Sequence, residues 1–114
     1  MLSSSPGIRL FLQFLKQEHS DENLMFWIAC ERLKKVVEEE RFKSFVEDIF
    51  NKFLTSSSTH EVSLDSRVKE QLNNNRSSPN RDIFDEAQGK IYSLMHRDSY
   101  PRFLISPLYN SFKS

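Results

Sequence analysis

The chain has 114 residues, with 16 basic and 16 acidic side chains and a formal charge of zero. That length supports one domain around one core, residues 1–114, and the charge balance excludes the strong basic field that attracts nucleic acid or an anionic membrane. Two Gly and four Pro against ten Phe predict long, tightly packed helices in place of a sheet with many turns.

Pro6 and Gly7 precede Ile8, Phe11, Leu12, Phe14 and Leu15, whose spacing predicts a short helix from about residue 8. Ser20 or Asp21 is suited to cap the next helix, with Glu22 favourable in its first turn. Leu24, Trp27, Ile28, Glu31 and Leu33 then run at three- and four-residue steps. A break or bend is expected in the polar run Glu38-Glu39-Glu40-Arg41. Phe42, Phe45, Val46, Ile49, Phe50, Phe53 and Leu54 form the clearest core-facing stripe of the chain. It ends in the Thr55-Ser56-Ser57-Ser58-Thr59 loop. Ser63 or Asp65 can cap a helix through Val68 and Leu72, and a second loop is expected over Asn73 to Asn80. Asp82 is the expected cap of a helix carrying Ile83, Phe84, Ala87, Ile91, Leu94 and Met95. A polar corner at Asp98-Ser99-Tyr100 follows, with Pro101 in the first turn of a last short helix carrying Phe103, Leu104 and Ile105. No segment alternates as a strand does, so the fold is read as all-α.

Several chemistries lack their residues. His19, His60 and His96 are far apart and Cys30 is alone, so no metal-ligand spacing exists. Gly7 and Gly89 are the only glycines, which excludes the glycine-rich loops of nucleotide enzymes. No cofactor and no catalytic residues are expected. Cys30 reads as a small core residue, and a single cysteine points to a reducing, cytoplasmic compartment. No run of 18 apolar residues exists to insert into a membrane.

Three polar segments remain: Glu18-His19-Ser20-Asp21-Glu22-Asn23, Glu61-Val62-Ser63-Leu64-Asp65-Ser66, and Leu94 to Arg102. Each alone reads as a capped helix joint. Asp98 and Arg102, four apart, can pair with each other. In an antiparallel bundle every second joint lies at the same end, so the three can converge on one protein-binding surface.

Phe14-Leu15-Lys16-x-Glu18-x-Ser20-x-Glu22-Asn23-Leu24-x-Phe26-Trp27 resembles the first signature of the regulator of G-protein signalling (RGS) domain. Glu61 to Ser66 is similar to the family's central loop. Phe84-Asp85-Glu86-Ala87-Gln88 and Asp98-Ser99-Tyr100-Pro101-Arg102-Phe103-Leu104 are similar to its closing half. The match covers roughly residues 7 to 112. It implies a compact bundle of about nine helices in two lobes, with the first helix truncated and residues 1–6 in its place.

The resemblance implies binding to the switch regions of a GTP-bound Gα subunit, acceleration of GTP hydrolysis, and the ending of G-protein signalling. By that resemblance Glu22 and Asn23 are expected to hold one switch, and Glu18 and His19 are expected among the Gα-binding residues. Ser63 is expected to face the switch with the catalytic Gln, and Glu61, Asp65 and Ser66 are expected among the Gα-binding residues. Leu94 gives apolar contact, and Asp98, Ser99 and Arg102 grip the switch with the arginine finger. Glu61 to Val68 and Leu94 to Ser99 look most like the Z-type subfamily, which acts on inhibitory-class Gα. Most of the family has Asn where Ser63 stands. A monomer recruited to the inner face of the plasma membrane through its partner is implied, with a non-accelerating scaffold as the alternative.

Overall fold

The computed structural model of the protein describes residues 5–18, 20–55 and 60–113. Among them every regular element is helical, as the lack of alternation predicted. α1 spans Ser5–Gln17, three residues earlier than its apolar spacing suggested. Pro6 is compatible with this start because a first-turn N–H has no intrahelical partner to lose. Phe11, Phe14 and Leu15 face inward from it.

α2, Glu22–Leu33, buries Leu24, Phe26, Cys30 and Leu33. This differs from the expected stripe, since Trp27, Ile28 and Glu31 are only half-buried. The cause is tertiary: α2 is packed against both α3 (Glu39–Phe53) and α5 (Asp85–Leu94), so more than one stripe is covered. Burial pushes the Cys30 thiol far above its usual range, as befits an inert core residue.

In α3 the expected stripe stands, with Phe42, Val46, Ile49, Phe50 and Phe53 buried and Phe45 and Leu54 half-buried against them. Of the polar run at 38–41, Glu38 forms the expected bend and the rest begins the helix. Glu38 precedes the helix, and Glu39 and Glu40 occupy the positive first turn. The chain reverses before this, over residues 34–38. The ring of Phe26 meets Phe53 at 5.6 Å and Phe84 at 6.1 Å, and Phe50 meets Phe84 at 5.5 Å. Such contacts add to what the buried area itself contributes.

α4, Ser66–Asn75, is capped by Asp65, whose carboxylate accepts from the Val68 N–H at 2.9 Å. Asn73 to Asn75, expected in a loop, form its last turn, where the Asn75 amide donates to the Gln71 carbonyl. Asp82 does not cap the following helix with its side chain. Its carbonyl accepts from the Asp85 N–H at 3.0 Å in a turn that drops Phe84 into the core, and α5 begins only after that ring.

The largest departure is at the expected corner. The chain stays helical from Asp85 to Leu104: α5 runs into a π-helical segment, Met95–Ser99, and then into α6, Tyr100–Leu104. The Tyr100 N–H bonds to the Met95 carbonyl, five residues back. Ile91, Met95, Ser99 and Phe103 are all buried, a repeat of four. Repeated steps of four overshoot the 3.6-residue α-turn, and the wider π-turn takes up the excess. A polar run on the outer face therefore concealed an unbroken inner face. Ile105, assigned to the last helix, is 78% exposed just beyond it. A further helix not anticipated, α7 (Pro107–Lys113), follows. The Ser106 hydroxyl accepts from the Tyr109 N–H and donates to the Phe103 carbonyl, joining α6 to α7.

α1, α6 and α7 pack together around Phe103, which meets Phe11, Phe14 and Tyr109 at 5.1, 5.4 and 5.0 Å. α2, α3 and α5 form the other group. The long α5–π–α6 helix connects these two lobes.

Candidate partner-binding surface

Two of the three polar segments meet at Arg102. Its Nη2 lies 2.7 Å from Glu18 Oε1, and its Nη1 lies 3.0 Å from both the side-chain and the backbone oxygen of Asp98. The spacing of Asp98 and Arg102 foretold their pair; Glu18, 84 residues earlier, is brought in by the docking of α1 on α6. Glu18, then Asp98, holds the guanidinium above its usual pKa. All three side chains remain part-exposed, so their outer lone pairs and N–H groups are reachable.

Ser63, Asp65 and Leu94 come together elsewhere, lining a groove of about 640 Å³ between the residue 63–65 loop and α5. Lys90, Ser93 and Arg97 line the same groove and were not among the residues expected at the site. The Val68 N–H, above all, holds the Asp65 carboxyl below the usual carboxylate range. Leu94 begins one turn before Asp98 on the continuous helix, so the groove and the Arg102 cluster are neighbours along one element.

The remaining residues are placed as follows. Glu22 and Asn23 are half-buried in the first turn of α2. Neither Ser20 nor Asp21 caps that helix with its side chain; Asp21 holds the cap position, and its carbonyl accepts from the Met25 N–H. Ser20 Oγ is instead buried without a hydrogen-bond partner among the described residues. An orphaned hydroxyl is costly unless something outside completes it, and no sequence signal separates this from an ordinary cap. Glu61 pairs with Lys69 at 2.9 Å. Ser66 is exposed at the start of α4, whereas Ser99 is almost fully enclosed. His19 and most of the Thr55–Thr59 loop are outside the described residues. No helix of the described residues is long and apolar enough to cross a membrane, and none of their His, Cys, Asp and Glu side chains form a group of three or more fit for a metal.

A family profile described as "Regulator of G protein signaling domain" matches residues 1–112. The chain is 47% identical over 111 residues to "Regulator of G-protein signaling rgs-2" of Caenorhabditis elegans, covering 97% of this chain and 66% of that protein. It is 46% identical over 109 residues to "Regulator of G-protein signaling 20" of Bos taurus, covering 96% of this chain and 29% of that protein. With "Regulator of G-protein signaling 19" of Rattus norvegicus the identity is 45% over 111 residues, covering 97% and 51%. The chain thus spans less than two thirds of the length of these relatives.

Proposed function

Since the chain belongs to the regulator of G protein signaling domain family, we propose that it binds the switch regions of a GTP-loaded Gα subunit and accelerates GTP hydrolysis. The observation that carries this reading is the family match joined to the placement of its polar segments. Glu18, Asp98 and Arg102 form one cluster, and Ser63, Asp65 and Leu94 line the groove beside it.

A Gα subunit has its Mg²⁺ site, its water-orienting Gln and an arginine in cis. An activator therefore adds no reactive group. It needs only to bind the switches more tightly in their transition-state arrangement than in the GTP ground state. A differential of about 2.7 kcal/mol gives about a hundredfold acceleration, within reach of a few hydrogen bonds to charged groups. In this reading Asp98 and Arg102 meet the switch bearing the arginine, with Ser99 behind them, Glu18 alongside, and Leu94 as the apolar contact; His19 is assigned to the Gα contact as well. Glu22 and Asn23 hold a neighbouring switch. Ser63 faces the switch carrying the Gln, flanked by Glu61, Asp65 and Ser66. Relatives named 19 and 20 belong to the Z-type subfamily, which favours an inhibitory-class Gα and a monomer acting in the cytoplasm at the membrane face.

The test is single-turnover GTP hydrolysis across a panel of Gα subunits, together with binding to each nucleotide form. Affinity is expected to be highest for the GDP–aluminium fluoride form, which mimics the phosphoryl group in transfer. Asn23→Ala should slow hydrolysis with little change in melting temperature, and Ser63→Asn should hold or raise it. Equal affinity for the GDP, GTP-analogue and fluoride forms would remove the transition-state mechanism. It would favour a scaffold that binds without accelerating, a second reading supported by the short side chain of Ser63 where most of the family has Asn.

A further inference from the structure

Next to the Ser63 groove, between α2 and α5, lies a smaller recess of about 250 Å³. Trp27 of α2 and Tyr92 of α5 are its walls, with ring centroids 6.4 Å apart and planes inclined at 39°. Glu31 and Asp85 supply carboxylates, and Gly89 contributes bare backbone. The side chain of Gln88 is buried and donates to Glu31 Oε2 at 2.6 Å and to the Trp27 carbonyl at 3.3 Å. It fixes one carboxylate and one wall in advance of any ligand. Lys34, 2.9 Å from Glu31, is the resident cation. Two carboxylates against one ammonium leave the lining with a net charge of −1. Tyr92 is 41% exposed, so the walls are reachable from solvent.

Gly89 provides an independent observation. A glycine within a helix weakens it, yet a Cβ placed there would meet nothing within 4 Å. Packing of the fold does not require glycine at this position. Bare backbone beside two rings and two carboxylates suits the close approach of a group from outside.

We propose that this recess binds the guanidinium of an arginine side chain presented by a protein partner. A guanidinium is planar, weakly hydrated, stacks on aromatic faces and forks onto a carboxylate, whereas an ammonium is a compact and strongly hydrated charge. The incoming group displaces Lys34 from Glu31, lies across Trp27 and Tyr92, and turns its free edge towards Asp85. The recess shares Asp85 and Gly89 with the Ser63 groove but none of the residues assigned above to Gα, so it stands whether or not that assignment holds.

Trp27 is the only tryptophan of the chain, so its emission reports on the recess directly. The whole chain is titrated with acetyl-Gly-Arg-Gly-amide and with its lysine and citrulline counterparts, the last keeping the shape without the charge. A saturable change in emission is expected with arginine, binding about fivefold weaker with lysine, and no change with citrulline. Tyr92→Leu and Glu31→Gln should each weaken the arginine peptide by about fivefold. Lys34→Met, which removes the resident ammonium, should tighten it by about threefold. Circular dichroism melting checks that each variant folds; should Tyr92→Leu or Glu31→Gln not fold, Lys34→Met decides, tightening supporting the proposal and unchanged affinity overturning it. Equal responses to arginine and citrulline, or wild-type affinity in both Tyr92→Leu and Glu31→Gln, would also overturn it.

Discussion

At the end of the bundle formed by residues 34–38 and 76–84, two arginines lie on rings. Arg76 sits 4.7 Å from the centroid of Phe50 and pairs with Glu47 at 2.7 Å. Arg81 sits 4.3 Å from that of Phe42 and donates to the carbonyls of Val36 and Val37. At the other end Arg102 is held sideways by Glu18 and Asp98, with no ring beneath it among the described residues. The stacked arginines use their flat faces and their N–H groups on the fold itself and so fasten loops to the core. Arg102 has its charge balanced within the chain but its faces open. A guanidinium of the same chemistry is thus part of the scaffold at one end and part of a surface at the other, according to whether an aromatic ring lies under it.

The largest effect should come from the ring layer on which the stacked end rests. Phe50→Ala removes a ring that is 1% exposed and meets both Phe84 and Arg76. Chemical denaturation should show a loss of about 3–5 kcal/mol. Asp98→Ala tests the open end. It should weaken binding to the fluoride form of Gα by about tenfold, because a charge-assisted hydrogen bond is lost. The melting temperature should hardly move, since an exposed pair contributes little to stability. Arg76→Ala should behave in the opposite way, losing about 1 kcal/mol of stability with Gα affinity unchanged. If both variants affect the same quantity, the contrast between the two ends fails.

Gly89→Ala should raise stability by up to about 1 kcal/mol in denaturant titration, since helix propensity improves and the new Cβ meets nothing. A destabilised variant would mean that the helix does need glycine there. The smallest effect is a dependence on pH. The Asp65 carboxyl is held below its usual pKa, first by the Val68 N–H, so the unfolded chain binds its proton more readily. The stabilisation is complete above the ordinary aspartate pKa of about 3.9 and is lost as pH falls through the lowered folded value. Asp65→Asn should flatten the acid limb of stability against pH in that window and leave the neutral region nearly unchanged.

The α3 stripe and the Asp65 cap could be read directly, because a 3.6-residue period and a side-chain cap are local properties of the chain. So could the pairing of Asp98 with Arg102, which needs only one helical turn. The two-sided burial of α2 could not, since it depends on which helices arrive on either flank. Phe84, read as part of the helix, instead precedes it, because a pocket between Phe26 and Phe50 takes the ring. Ser20 read as a cap, and nothing local marks its hydroxyl as buried and without a partner.

The all-helical class, the lack of nucleotide-loop and metal-ligand motifs, and the family membership follow from residue identities and their order, for which short-range spacing suffices. The joining of Glu18 to Arg102 across 84 residues, the grouping of Ser63 with Leu94, and the continuous α5–π–α6 helix belong to the folded chain. Each results from the packing of distant segments, and a π-turn is favoured only when the core rewards keeping Ile91, Met95, Ser99 and Phe103 on one face. Helix periodicity is encoded within a few residues, whereas the meeting of segments far apart in the chain depends on the burial of every helix between them.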